Sequence, residues 1–306
     1  MQNQEPIILC HVACSGGSMI YRMLVSNFDL VGISEVSHCY PFEKDRFIPT
    51  DPEHALLKVG ELSDKEFERV FFDRIQFSNS TCVKNNKSLL IREHTHSYFF
   101  LRPAGLPIPD SPSWIAEQYS KRLGQQIKCI VTVRDPIDSW LGLCANFPGN
   151  APRNFQDYCS KYEKFIRSYF NNYDQQNMLL IRYEDFVENL EVQLQCIAKF
   201  VGQPFSGKVT ENWSGISCTG LSGRQNDKIE KRVRRPFGNQ LLRDAAISES
   251  YRYLTEELGY PYLGDSVSVK LKAQAYYVDI RRKLATVLAR VLGRTQKWAL
   301  SRSRVP

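Results

Sequence analysis

The stretch "PIILCHVACSGGSMIYRML", Pro6 to Leu24, decides the fold. An apolar run from Pro6 to Cys10 gives way to two serines and two glycines, and then to a segment whose apolar side chains recur at helical spacing. A buried strand, a small-residue turn and a helix start leave several backbone N–H groups unpaired and pointing one way, which makes an anion site. Phosphate is the natural anion. The register can be set against G-x-x-x-x-G-K-[ST], the loop that holds nucleotide phosphates with its amides and a lysine. With Ser18 in the hydroxyl place, Gly16 is the second glycine, Gly17 stands where the lysine belongs and His11 where the first glycine belongs. Such a loop keeps the amide cradle and lacks the cation that grips a γ-phosphate. On these residues alone, a plain strand-to-helix turn is the other reading.

The pattern continues outward from this unit. Short apolar runs at Ile7–His11, Leu89–Arg92, Ile127–Val133 and Met178–Arg182 read as buried strands. Between them, Ser18–Asn27, Ser63–Phe77, Pro136–Asn146, Asn154–Tyr173, Glu188–Val201 and Gln240–Leu258 read as helices, the second opened by a Ser63–Glu66 capping box. This alternation predicts an α/β protein with a central parallel sheet flanked by helices. Asn212–Pro236 is a long polar, basic loop, of the kind that is functional or disordered.

The 306 residues are 42% hydrophobic and 24% charged, ordinary for a globular protein, and no apolar run approaches a membrane span. The N-terminus lacks the basic region and apolar stretch of a signal peptide, so a cytoplasmic location is expected. Nine cysteines without a CxxC pair read as reduced thiols rather than a zinc site or disulfide framework. The net charge of +7 is uneven: Ser266 to Pro306 holds ten Lys/Arg and one acid, Asp279, leaving 30 bases and 32 acids in the preceding 265 residues. The chain therefore reads as a domain over residues 1–265 and a basic tail over residues 266–306. In the tail Leu271, Ala275, Val278, Leu288, Val291, Leu292 and Trp298 fall at roughly helical spacing among the bases. A helix lying on an anionic membrane surface is expected there, with a helix packed on the domain or a solvated extension as the alternatives.

Three further stretches carry chemistry. In "IVTVRDPIDSWLGL" a β-branched strand ends in Arg134, and Asp135-Pro136 opens a helix. This sets a guanidinium at the carboxyl end of a parallel strand, where open α/β sheets bind ligands and where a planar fork suits phosphate. The plainer reading pairs Arg134 with Asp135 or Asp138. In "LLIREHTHSYFF" a strand runs into Arg92, Glu93, His94, Thr95 and His96, which points to acid–base work. No third or fourth ligand can be named beside His-x-His, so no metal is expected. In "SCTGLSGRQNDKIEKRVRRP" six bases crowd a glycine-bearing loop, suited to close over a polyanion or simply to stand in solvent.

Taken in order, with "LLIRYED" and its helix between the last two, these segments resemble the sulfotransferases that use 3′-phosphoadenosine 5′-phosphosulfate (PAPS). They are most similar to bacterial members with a Ser-Gly-Gly-Ser loop, over about Pro6 to Tyr262. The resemblance implies a P-loop-like three-layer fold in which Ser15, Gly16, Gly17 and Ser18 cradle the 5′-phosphosulfate without Mg²⁺. It assigns Arg134 to the 3′-phosphate and Arg224 to the same nucleotide. The family's serine eight residues after that arginine is Gly142 here, with Ser139 as its substitute. The Lys or Arg usual before the Ser-Gly pair is Cys14, so Arg92, Arg224 or Arg232 is left to meet charge on the leaving phosphate, the product being 3′-phosphoadenosine 5′-phosphate (PAP). His94 aligns with the family's strand-end base, His96 follows it, and Glu35 in "VGISEVSH" competes because other branches use a glutamate there. The implied acceptor is a hydroxyl of a carbohydrate or small molecule, with no nucleic-acid partner. An ATP-dependent phosphotransferase on the same fold and a binding protein that keeps only the nucleotide site are the rival readings.

Overall fold

The computed structural model describes residues 5–37, 63–101, 108–124, 126–149, 151–209, 213, 215–218, 229–230, 233–263, 272–281 and 283–285. Five strands form one sheet: β1 (Ile7–His11), β2 (Leu30–Val36), β3 (Ser88–Glu93), β4 (Lys128–Val133) and β5 (Met178–Arg182). Their order is β2-β3-β1-β4-β5 and every neighbouring pair is parallel. The helices are α1 (Gly17–Asn27), α2 (Asp64–Lys84), α3 (Trp114–Leu123), α4 (Pro136–Asn146), α5 (Phe155–Asn171), α6 (Tyr183–Glu188), α7 (Leu190–Val201), α8 (Asn239–Ile247) and α9 (Glu249–Leu258). A π-helical turn occupies Ser97–Leu101.

Strand β1 is buried along its whole length because it is covered on both faces. Its period-two alternation sends Ile8 and Cys10 into one core with Phe72, Ile115, Tyr158 and Tyr251, and Ile7 and Leu9 into the other with Ile20, Leu24, Leu194 and Ile197. Helices α1 and α7 thus cover one face, and α2, α3, α5, α8 and α9 the other. The chain turns towards β2 and β3 on one side of β1 and later towards β4 on the other, so the carboxyl end of β1 lies at the crevice where such sheets bind ligands.

Several expectations need correction. The edge strand β2 was not among the predicted strands; its residues are mostly half-buried and read as neither a full apolar run nor a clean alternation. Helix α3 was also missed, and α2 runs past Phe77 to Lys84, with its Ser63–Glu66 capping box formed. The helix predicted over Gln240–Leu258 is two, because Ser248 adopts an extended conformation and its hydroxyl caps α9 at Tyr251 N, 3.1 Å away. The helix predicted over Glu188–Val201 is present as α7 from Leu190, and the acidic segment before it forms the short helix α6.

One buried carboxyl joins the sheet to its cover. Glu93, the last residue of β3, accepts from Ser113 Oγ at 2.5 Å and Ile115 N at 3.1 Å, tying the strand end to the start of α3. Burial pushes its carboxyl up from 4.5 to about 7. Between those values the native state holds a proton that the unfolded chain has released, so this group's stabilisation is complete below about 4.5 and is lost as the pH rises through about 7. The melting temperature of the wild type relative to Glu93→Gln is therefore expected to fall between about pH 5 and pH 8. A difference that does not move with pH would refute the assignment, since every other titrating group is shared by the two proteins.

Candidate active site

The loop after β1 is built from the inside. Ser15 is fully buried; its amide and hydroxyl both donate to the Val12 carbonyl, at 3.2 and 2.8 Å, and its hydroxyl lies 3.4 Å from Thr132 Oγ1. Ser15 pins the turn through these bonds. Cys14 and Gly16 both take left-handed backbone, φ 63° and 91°, and a Cβ on Gly16 would run into the Tyr183 ring. A Cβ on Gly17 would stand 2.5 Å from the buried His11 ring, so no side chain fits at the position where a phosphate-gripping lysine would be. What the loop offers is backbone: the amides of Gly17 and Ser18 open α1 and have no carbonyl partner within the helix.

Beside the loop, one arginine gathers the acid–base candidates. Arg92 is fully buried on β3, its guanidinium 5.8 Å from the Tyr21 ring centroid. It donates from Nη1 to Ser18 Oγ at 2.5 Å and pairs through Nη2 with Glu35 Oε1. The other oxygen of Glu35 lies 3.2 Å from His94 Nε2, and His94 Nδ1 bonds to Ser97 Oγ. Glu35 sits at a β-bulge, where the register with β3 slips between Ser34 and Val36, and its φ is 59°. Such a conformation costs a non-glycine residue about 1–3 kcal/mol, and a bulge re-aims the side chain it carries. Here it aims a carboxylate between Arg92 and His94.

Burial sets the charge states. It lowers Arg92 from 12.5 to about 10, which leaves the guanidinium charged at neutral pH. Burial first, and then the Arg92 charge, lower His94 to about 4. Burial lowers His96 to about 3, and His11 well below its ordinary range. The three imidazoles around the loop are neutral. His96 accepts from Ala13 N at 3.4 Å and stacks on Phe100 with centroids 4.6 Å apart, so it buttresses the loop from below.

Arg134 faces the same loop from β4. It donates to the Cys14 carbonyl at 3.0 Å and lies over the Tyr183 ring at 4.6 Å, and its buried Nε has no hydrogen-bond partner among the described residues. Its backbone is clamped by the Tyr162 hydroxyl, which accepts from its amide and donates to its carbonyl, both at 3.0 Å. The pairing with Asp135 and Asp138 that the sequence left open for it belongs instead to Arg234, at 2.7 and 2.9 Å. Asp135 meanwhile caps α4 through Ile137 N and Asp138 N. Ser139 donates to the Ala13 carbonyl at 2.9 Å and is fully buried, so it holds the loop's backbone. At Gly142 a Cβ would come within 3.0 Å of Cys14 Cβ. Arg224 and Arg232 lie outside the described residues, as do Lys228 and Lys231. Tyr162, Ser97 and the bracing role of Arg234 carry no local signal in the sequence, and for Tyr183 the tyrosine of "IRYED" is the one visible sign.

A family model described as "Sulfotransferase family" matches residues 6–207, well over half of the sequence. The chain belongs to the sulfotransferase family. No curated protein matches it significantly in sequence. Among solved structures, the sulfotransferase domain of the Synechococcus PCC 7002 olefin synthase superposes with a TM-score of 0.50 at 16% identity, covering 85% of this chain and 97% of that one. The sulfotransferase domain from the curacin biosynthetic pathway gives 0.49 at 14% identity, covering 84% and 98%. The sulfotransferase from Alicyclobacillus acidocaldarius gives 0.47 at 12% identity, covering 84% and 96%. The Synechococcus match supports the same fold.

The two arginines at the β4 end differ in what they hold. Arg234→Ala leaves Asp135, 3% exposed, without its cation and is expected to destabilise the protein by roughly 1–3 kcal/mol. Arg134→Ala removes one carbonyl bond and a ring contact but leaves no buried carboxylate without its cation, and is expected to cost less, about 0.5–1.5 kcal/mol. Thermal or urea denaturation of both variants checks the order; the reverse order would make Arg134 the brace.

Proposed function

We propose that this sulfotransferase moves a sulfuryl group from PAPS to a hydroxyl of a carbohydrate or other small-molecule acceptor, with His94 as the base. The observation that carries the reading is Arg92, a buried cation that touches the anion loop at Ser18 and the acid–base pair at Glu35. Two features support the nucleotide: α1 starts at the loop, where helix-start amides suit a 5′-phosphosulfate, and the buried Nε of Arg134 has no partner among the described residues, which leaves a donor for a second phosphate. When bound, PAPS supplies an activated sulfuryl group and leaves as PAP. Arg92 takes the place of the Lys or Arg missing at Cys14, as a fixed charge that needs no reorganisation. Glu35 is read as holding the His94 proton on Nε2 and stabilising the imidazolium as it forms. That leaves Nδ1 to take the acceptor's proton, directly or through the Ser97 hydroxyl. The acceptor oxygen bonds to sulfur as the sulfur–oxygen bond to the leaving phosphate breaks, and the hydroxyl proton ends on His94.

His94→Ala is expected to lower single-turnover transfer from labelled PAPS by roughly 100- to 10,000-fold while leaving PAP affinity intact. Because the imidazole is held near 4, the acid limb of kcat/KM is expected near that pH and not at the ordinary 6.5. An active His94→Ala beside a dead Glu35→Gln would transfer the role to Glu35, and a protein that binds PAP but turns over no acceptor would be the nucleotide-binding rival.

Recognition of the 3′-phosphate has its own test. Arg134→Ala is expected to weaken PAP by roughly ten- to a hundred-fold and AMP hardly at all, since a charged hydrogen bond is worth about 1.5–3 kcal/mol. Equal losses for both nucleotides would remove Arg134 from that role. Stabilisation by ATP with Mg²⁺ and none by PAP would return the phosphotransferase reading, which the crowding at Gly17 disfavours.

A further inference from the structure

Residues 272–281 and 283–285 are helical, and two contacts dock this segment on the domain. Ala275 is buried in the larger core, and Asp279 accepts from Asn239 N and Nδ2 at 3.1 and 3.0 Å, capping the start of α8. Asp279 is the one acid between Ser266 and Pro306, so the tail's only negative charge is turned inward. At about 100° per residue, Tyr276, Tyr277, Ile280 and Leu284 fall within an arc of about 100° on the opposite side of the helix. Those four side chains are 63%, 60%, 37% and 57% exposed. Lys272 and Lys283 border one edge of that arc and Arg281, 5.9 Å from the Tyr277 ring, borders the other. No described helix is long and apolar enough to cross a membrane.

We infer that this face lies on an anionic lipid surface, with the two tyrosines, Ile280 and Leu284 at the headgroup–acyl boundary and the flanking bases against lipid phosphates. Three observations favour lipid over a protein partner. The apolar arc is bordered on both sides by bases, which is the signature of a helix lying in an interface. Tyrosine, with an apolar body and a polar tip, is suited to that depth. Residues 286–306 add five bases and no acid. Since Ala275 and Asp279 fix the helix to the domain, the lipid surface would meet the protein in one orientation, beside α8. The contact does not depend on the reading of the active site, because none of these residues belongs to it.

The test is sedimentation of the full chain with vesicles of phosphatidylcholine alone or with added phosphatidylserine, at low and high salt. Binding only to the anionic vesicles, reduced by salt and lowered at least tenfold in Ile280→Asp/Leu284→Asp, is expected, with the melting temperature unchanged. Equal sedimentation of wild type and the double variant would overturn the proposal, as would binding indifferent to phosphatidylserine. A dimer in analytical ultracentrifugation that the double variant dissociates would also overturn it, by giving the face to a second copy of the chain.

Discussion

A guanidinium taken wholly out of water must be met by charge and hydrogen bonds, and Arg92 imposes that demand at the crevice of the sheet. Three features of the site answer it. Glu35 accepts a left-handed backbone and a bulge in β2 to bring a carboxylate alongside. Ser18 turns its hydroxyl inward from the first turn of α1. Tyr21, one turn further along the same helix, offers the face of its ring. The strain at Glu35 persists because the ion pair over-determines it, and the same ion pair leaves the carboxylate's second oxygen for His94.

The positive charge that results is carried by arginines alone. Burial keeps His11, His94 and His96 neutral, while Arg92 stays protonated and Arg134 faces the loop from the other side. The loop is thus flanked by two guanidiniums and by imidazoles that stay neutral, so their charge does not change across the ordinary histidine range of pH. A neutral imidazole is also the form able to accept a proton. The Glu35 carboxylate lies where it would stabilise the His94 ring on protonation, against the burial and the Arg92 charge that oppose it.

Much of this was legible in the sequence because it rested on local pattern. The βα alternation, the capping box at Ser63, Pro136 in the first turn of α4 and Gly202 at the end of α7 are short-range signals, and the strand ends carrying Arg92 and Arg134 followed from them. What was not legible depends on contacts distant in the chain. Arg234 takes Asp135 and Asp138 from some hundred residues away, and no spacing rule could award it the pair over the neighbouring Arg134. The bonds that the Ser15 and Ser139 hydroxyls make to the carbonyls of Val12 and Ala13 are likewise set by the fold and not by spacing. Strand β2 was hidden because an edge strand with one bulged acid shows no clean period.

The two departures from the family pattern prove to be neighbours. Cys14 stands where a Lys or Arg is usual and Gly142 where a serine is usual, and a Cβ on Gly142 would stand 3.0 Å from the Cβ of Cys14 and 3.4 Å from its sulfur. The thiol is largely buried and its pKa raised, chiefly by desolvation, so it carries no charge to the loop. A side chain at 142 would press on the left-handed turn at Cys14, whose carbonyl holds Arg134. The glycine therefore preserves the geometry of the carbonyl that holds Arg134. A serine at 142 would press on that turn without bringing any cation to it.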